Sequence, residues 1–202
     1  RPPRSTLFPY TTLFRSDYVK YISTPIARNI GVLCKLRHYL PAKTLFILYN
    51  SLVLPYISYC NIVWANSYSS TNTIFILQKK AIRICAGANY RDHTDPIFYR
   101  YKILKIQDIH FLQIALFMFR NNASLLPSYF EEMFQCNIVI HSYPTRHAYD
   151  IHWTNPKTLL AHKSIRHTGP DVWNSLSPQI RSISSARSFK KSVKHMLFAR
   201  YQ

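Results

Sequence analysis

Acidic residues are scarce in this chain. Its 202 residues contain 8 Asp and Glu against 26 Lys and Arg, which gives a formal net charge of +18. Two-metal phosphoryl transfer needs carboxylates that converge on Mg²⁺. Here the aspartates stand apart, and the adjacent pair Glu131-Glu132 would point in different directions on a helix. The sequence therefore predicts no catalytic residue in the chain as given.

Glycine and cysteine are almost as rare. The 3 glycines do not form the Gly-rich loop that cradles phosphates. The 4 cysteines, at 34, 60, 85 and 136, include no CxxC pair and have no histidine at zinc-ligand spacing. Structural zinc requires four converging nitrogen or sulfur ligands, so no metal site is predicted. We expect reduced, buried thiols in an intracellular protein that is cytoplasmic, nuclear or both.

The basic surplus indicates a polyanionic partner. Hydrophobic residues make up 48% of the chain, too many for a disordered basic tail, so the charge is expected to decorate folded structure. Neutralising phosphates releases counterions, which favours nucleic acid as the partner, whether RNA, DNA or a hybrid. An anionic membrane face is the alternative polyanion.

One long uncharged stretch raises a membrane alternative. No charged residue occurs from Thr44 to Gln78, and a stretch of this length can cross a bilayer. Asn50, Pro55 and Asn61 interrupt its apolar run. We therefore expect a buried helix with a proline kink and no membrane. A small membrane protein is the third-ranked alternative.

The first 16 residues, RPPRSTLFPYTTLFRS, differ in character from the rest. They lack the ordered charged, apolar and cleavage regions of a signal peptide. They resemble the translated sequencing-adapter peptide that contaminates assembled transcripts. We therefore expect residues 1–16 to be foreign to the protein, joined to a truncated reading frame, and predict the fold from Asp17 onward.

Hydrophobic spacing predicts a mainly α fold, with a helical bundle-like region over residues 17–134. The predicted helices run from about Pro25 to Tyr39, from Pro41 through Val53, from Ile74 to a stop at Gly87, onward from Asp95, and onward from Asp108. Thr24, Asp95 and Asp108 are interpreted as N-caps.

The pattern changes after residue 134. Ile138-Val139-Ile140 is a β-branched run typical of a short strand, and Gly169-Pro170 marks a turn. Trp173, beside that turn, is expected to plug it. A last helix spans about Ser185 to Arg200. Residues 135–202 are thus predicted to form a loop-rich basic segment that ends in a helix.

Two of the predicted helices carry basic faces. Lys79, Lys80 and Arg83 lie within one turn, opposite the apolar stripe of the third helix. The candidates in the last helix are Arg187, Lys190, Lys191 and Lys194. A single such cluster is typical of a solvated helix face. Two of them in a chain so poor in acid favour contact with nucleic acid.

Tryptophan admits two interpretations. Trp64, Trp153 and Trp173 are able to stack on bases. Tryptophan in a helical neighbourhood more often fills a core. The sequence therefore predicts no stacking residue.

Five short segments occur in the order found in a known family. They are LYNSLVLPYISYCNIVWANSY at 48–68, LQKKAIRI at 77–84, YPTR at 143–146, GPDVWNSLSPQIRS at 169–182 and SFKKSVKHML at 188–197. In this order they resemble the C-terminal region of reverse transcriptases from non-LTR retrotransposons, especially the jockey-like group. The resemblance covers almost all of residues 17–202.

The resemblance implies a parent RNA-directed DNA polymerase whose fingers and palm lie upstream and would be partners of this chain. Residues 17–134 would be a helical thumb-like region, and 135–202 a basic C-terminal region. The family's Tyr/Phe-x-Asp-Asp motif has no matching position, so the Mg²⁺ cofactor is expected only in the missing palm. The chain would then be a fragment that helps to hold nucleic acid without catalysing the reaction. A free-standing helical nucleic-acid-binding module is the alternative.

Overall fold

The computed structural model describes residues 9–66, 68–141, 146–153 and 155–201, with the side chains of 9–16, 68–70 and 160 left aside. The predicted mainly α fold is confirmed, and no strand forms within these ranges. The chain divides into two compact units. The first comprises residues 1–109 and 201–202, and the second comprises residues 110–200.

The helices of the first unit are α1 Pro9–Leu36, α2 Ala42–Leu52, α3 Leu54–Ser58, α4 Asn61–Trp64, α5 Tyr68–Ala86, α6 Asp95–Arg100 and the start of α7 Ile106–Asn122. The second unit contains the rest of α7 and α8 Ser128–Met133, α9 Asn137–Ile140, α10 Leu159–His162, α11 Ile165–Asn174, α12 Pro178–Arg181 and α13 Ala186–Ala199. In the first unit α1, α2 and α5 pack against one another.

Helix α1 runs through the proline that was predicted to start it. Its buried side chains keep helical spacing on both sides of Pro25: Val19, Ile22, Ile26, Ile30 and Leu33. A proline in a helix interior costs about 3 kcal/mol. Each fully buried isoleucine contributes about 1.5–3 kcal/mol, so this stripe offsets that cost. The prediction that Thr24 caps a helix start is wrong.

The uncharged stretch is divided among several helices. Pro55 lies in the first turn of α3, and Cys60 adopts a left-handed φ of 47° between α3 and α4. These breaks replace the single kinked helix that was predicted. In the described ranges, every helix is too short or too polar to cross a bilayer.

The cysteines differ in environment. All four are free. Cys85 is buried, and burial raises the pKa of its thiol to about 12. Cys34 and Cys60 are exposed, and Cys136 is partly buried. The prediction of buried thiols is therefore correct for Cys85 and wrong for Cys34 and Cys60.

The two predicted aspartate caps lie inside their helices. Thr94 is the N-cap of α6, and Asp95 lies in its first turn, where it pairs with Lys105 at 3.0 Å. Asp108 lies in the first turn of α7 and accepts a hydrogen bond from the Tyr201 hydroxyl. A carboxylate in a first turn interacts favourably with the helix dipole. Both aspartates thus stabilise helix starts, but not as caps.

The β-branched run at 138–140 belongs to α9, so the predicted strand is wrong. The start of α9 is instead hydrogen-bonded to the segment before Ile151. The Asn137 N–H donates to the Asp150 carbonyl, and the Ile138 N–H donates to the Ala148 carbonyl. Cys136 and Ile151 form an isolated antiparallel bridge. Because Val139 is 70% exposed, this run has no buried face of the kind that a strand in a sheet provides.

Gly169 and Pro170 lie inside α11, so the predicted turn is wrong. Both residues are buried, and a Cβ on Gly169 would lie 2.7 Å from the Met118 sulfur. Trp173 is buried as predicted, although in a helix, and its ring stacks at 6.0 Å on that of Phe189. Close packing in the core of the second unit therefore determines the conformation here.

Asp150 joins the loop before Ile151 to α12. Its carboxylate accepts hydrogen bonds at 2.6 Å from both Arg181 and His147. Burial alone would raise the pKa of Asp150, but the hydrogen bonds from Arg181 and His147 outweigh it and hold the pKa below its ordinary value. Asp150 is thus a structural carboxylate, and Arg181 is its counterion.

Candidate nucleic-acid interface

The basic residues of α5 lie opposite its buried face. The buried side chains on this helix are Thr71, Ile74, Gln78, Ala81, Ile82, Ile84 and Cys85. At about 100° per residue, Lys79, Lys80 and Arg83 occupy one arc on the other side of the helix. We call these three residues the α5 basic face. Their predicted position opposite the apolar stripe matches the structure.

A buried glutamine fixes the rotation of α5. The Gln78 amide donates to the Tyr49 hydroxyl and to the Leu104 carbonyl, each at 3.0 Å, and accepts from the Ile106 N–H at 3.0 Å. Gln78 is 0% exposed. Because these three bonds tie α5 to α2 and to the start of α7, the residues next to Gln78 are held outward.

The three side chains of the α5 basic face have different surroundings. The Lys79 ammonium lies 4.2 Å from the centre of the Phe75 ring. Arg83 Nε donates to the Asp92 carbonyl at 2.9 Å. That bond uses one of the five guanidinium donors. Lys80 is exposed and makes no ion pair with any described residue. The face therefore presents the exposed ammonium of Lys80 between Lys79 and Arg83, which both have partners.

Helix α13 carries the second cluster. Its core side consists of Phe189, Val193 and Leu197, each 0% exposed. The basic residues recur at positions i, i+3, i+4 and i+7, which places them on one side of the helix, next to the core side. We call them the α13 basic face: Arg187, Lys190, Lys191 and Lys194. Sequence spacing predicted this arrangement, and the structure places all four on one side.

The α13 basic face has no acidic counterpart nearby in the chain. No Asp or Glu follows Asp171 in the sequence. Within the described ranges, none of its four cations forms an ion pair. Lys194 is half-buried, and burial followed by the charge of Lys190 lowers the pKa of its ammonium. Acidic side chains among the described residues therefore do not neutralise the positive charge of this face, and its four cations repel one another.

The two basic faces belong to different units. The α5 basic face lies in the first unit and the α13 basic face in the second. Arg181, close to α13 in sequence, is committed to Asp150. Each face is thus a separate electrostatic feature of its own unit.

Three aspartate carboxylates have structural partners. The carboxylates of Asp95, Asp108 and Asp150 are engaged with Lys105, Tyr201 and Arg181. Among the described residues, no three His, Cys, Asp or Glu side chains are grouped in a way that would hold a metal ion. Of the five segments that carry the family resemblance, YPTR at 143–146 lies outside the described residues except for Arg146.

The three tryptophans separate into two classes. Trp64 is 2% and Trp173 is 4% exposed, as expected of core residues. Trp153 is 49% exposed. Trp153 was not distinguished from the other two tryptophans by the sequence prediction, yet one signal was present. Trp153 is followed by the polar run Thr154-Asn155 and lies in no apolar periodicity, whereas Trp64 and Trp173 have apolar neighbours.

Comparison of the chain with models of protein families, with curated proteins and with solved structures gives no match.

Proposed function

We propose that this protein binds nucleic acid through the α13 basic face, with the α5 basic face as a second contact. The observation that carries the proposal is the α13 basic face itself. Its four cations share one side of a helix whose other side is anchored in a core, and none forms an ion pair among the described residues. Such a rigid, uncompensated row suits phosphate oxygens.

The length of the row fits a nucleic-acid strand. From Arg187 to Lys194 the helix rises by about 10 Å, at about 1.5 Å per residue. One strand of duplex DNA presents a phosphate about every 3.4 Å along its axis. The row therefore spans about three phosphate spacings, so its four cations match about four neighbouring phosphates.

The proposal also concerns the larger enzyme of which this chain would be a part. The order of the five resembling segments supports a role as the part of an RNA-directed DNA polymerase that holds template, primer or target. In that role Mg²⁺ and the reacting groups would belong to a palm on another part of the polymerase. The seven cations of the two faces would only position the nucleic acid.

The experiment is a salt series of binding to labelled duplex DNA and RNA–DNA hybrid, read by fluorescence anisotropy. In the α13 variant, all four residues of the α13 basic face are replaced by glutamine. A matched control replaces four exposed cations of the first unit by glutamine: Lys20, Arg28, Lys35 and Lys43. Both variants lose the same net charge, and glutamine retains good helix propensity.

We expect the slope of log affinity against log salt to fall by about three to four in the α13 variant, since each of the four phosphate contacts contributes about 0.9. The control should keep a slope close to that of the original protein. A variant in which Lys79, Lys80 and Arg83 are all replaced by glutamate should also weaken binding while the far-UV circular dichroism spectrum stays unchanged. Equal losses in the α13 variant and its control would show that bulk charge alone binds, and would contradict a specific face.

A further inference from the structure

Trp153 differs from the other tryptophans in its surroundings as well as in its exposure. A tryptophan side chain is usually well buried, because it carries more apolar surface than most residues. Trp64 and Trp173 follow that rule, and Trp153 leaves 49% of its surface open. An indole ring held open to solvent has the large flat surface on which a nucleobase stacks.

The Trp153 ring lies against one member of a histidine pair. Its centre lies 5.0 Å from that of the His167 ring, with 38° between the ring planes. His167 Nε2 and His162 Nδ1 are 3.2 Å apart, so one nitrogen donates and the other accepts. The rings of these two histidines meet edge to face at 4.8 Å. The indole therefore lies against His167, which His162 in turn holds by a hydrogen bond.

The charge around this ring favours a polyanion. No acidic residue occurs between Asp150 and Asp171 in the sequence. Asp150 is neutralised by Arg181. Within the same stretch Lys157 and Arg166 are exposed cations. A base that stacked on Trp153 would therefore bring its phosphates to a segment with two exposed cations and, at its end, one exposed carboxylate, that of Asp171.

We propose that Trp153, supported by His167 and His162, is a stacking platform for an unpaired nucleobase. The inference rests on the proposed nucleic-acid binding and deepens it, because it assigns a preference for single-stranded RNA or DNA. A base paired within a duplex keeps its faces covered by its neighbours, whereas an unpaired base has a free face to stack on an aromatic side chain.

The test compares two single-stranded oligonucleotides of equal length and charge. One carries pyrimidine bases and the other has an abasic backbone. The original chain should bind the base-bearing strand about tenfold more tightly, within the range that one base–aromatic stack supplies. Trp153→Ala should abolish that preference and leave affinity for the abasic strand unchanged. Trp153→Phe, which keeps a smaller ring, should retain part of it.

Tyr149→Ala is the matched control, because Tyr149 is an 80% exposed aromatic residue of the same unit. It should keep the full preference for bases. Tryptophan fluorescence gives an independent readout, since Trp64 and Trp173 are buried. The base-bearing strand should quench the emission of the original chain and should not quench that of Trp153→Phe.

The possible results are separable. Equal binding of the two strands by the original chain would overturn the platform and leave the proposed nucleic-acid binding intact. A preference for bases that survives in Trp153→Ala would also overturn it. Binding of neither strand, nor of duplexes, would overturn the proposed function and with it the platform.

Discussion

Replacement of the buried glutamine by an apolar residue of similar size tests how α5 is held. In Gln78→Leu, three buried groups lose their partner: the Tyr49 hydroxyl, the Leu104 carbonyl and the Ile106 N–H. Each unsatisfied group costs about 1–3 kcal/mol. The buried leucine returns about 2 kcal/mol of the total. We expect the free energy of unfolding to fall by about 3 kcal/mol.

Urea unfolding followed by far-UV circular dichroism measures this loss, with the midpoint and the slope fitted together. Gln107→Leu is the matched control, because Gln107 is an exposed glutamine of α7. Its free energy of unfolding should change by less than about 0.5 kcal/mol. The comparison separates the loss of the buried bonds from the general effect of replacing a glutamine by leucine.

A double-mutant cycle sharpens the test. Tyr49→Phe removes one of the three bonds and should cost about 1 kcal/mol. The combination with Gln78→Leu should cost less than the sum of the two, because both changes remove the same bond. A loss below about 1 kcal/mol in Gln78→Leu would refute the reasoning, since the three groups would then find other partners at little cost.

Three further changes have expected signs that follow from local geometry. Gly31→Ala should raise the free energy of unfolding by about 0.5–1 kcal/mol, since no atom lies within 4 Å of the added Cβ in helix α1. Gly169→Ala should lower the free energy of unfolding by about 1–2 kcal/mol, because its Cβ would lie 2.7 Å from the Met118 sulfur. Thermal melts in which both glycine variants shift in the same direction would contradict these two predictions. Asp150→Asn should cost about 2 kcal/mol, since the partly buried Arg181 loses its counterion. Because the folded-state pKa of Asp150 is lowered, its stabilisation is present above the ordinary carboxylate pKa of 3.8 and is lost as pH falls below it. Urea midpoints across acid pH should therefore fall more steeply for the original chain than for Asp150→Asn, and parallel curves would refute the role of Asp150.

Helical periodicity was enough to predict the elements with one buried side. The apolar stripes of α5 and α13 repeat every three or four residues, so the basic residues between them were correctly placed outside the buried stripes. Whether those cations contact phosphate stays a prediction. Spacing determines which way a side chain points and carries no information on its ligand.

Local rules failed where tertiary packing opposes them. Pro25 reads as a helix start, yet Val19 and Ile22 continue the buried stripe upstream of it. Those two residues were the signal that the helix extends further. Gly169-Pro170 reads as a turn, but both residues are packed inside α11. The contact of Gly169 with Met118 joins residues far apart in sequence, so no local pattern contains it.

The repulsion within the α13 basic face gives ionic strength two opposing effects. Arg187 and Lys191, and likewise Lys190 and Lys194, are like charges four residues apart, each pair destabilising the helix by about 0.2–0.5 kcal/mol. Added salt screens these pairs and so strengthens the helix. The same salt weakens attraction to phosphates. The buffer that best stabilises this helix in the free protein is therefore one in which the proposed binding of nucleic acid would be weakest. A bound polyanion would then replace salt as the stabiliser of this helix.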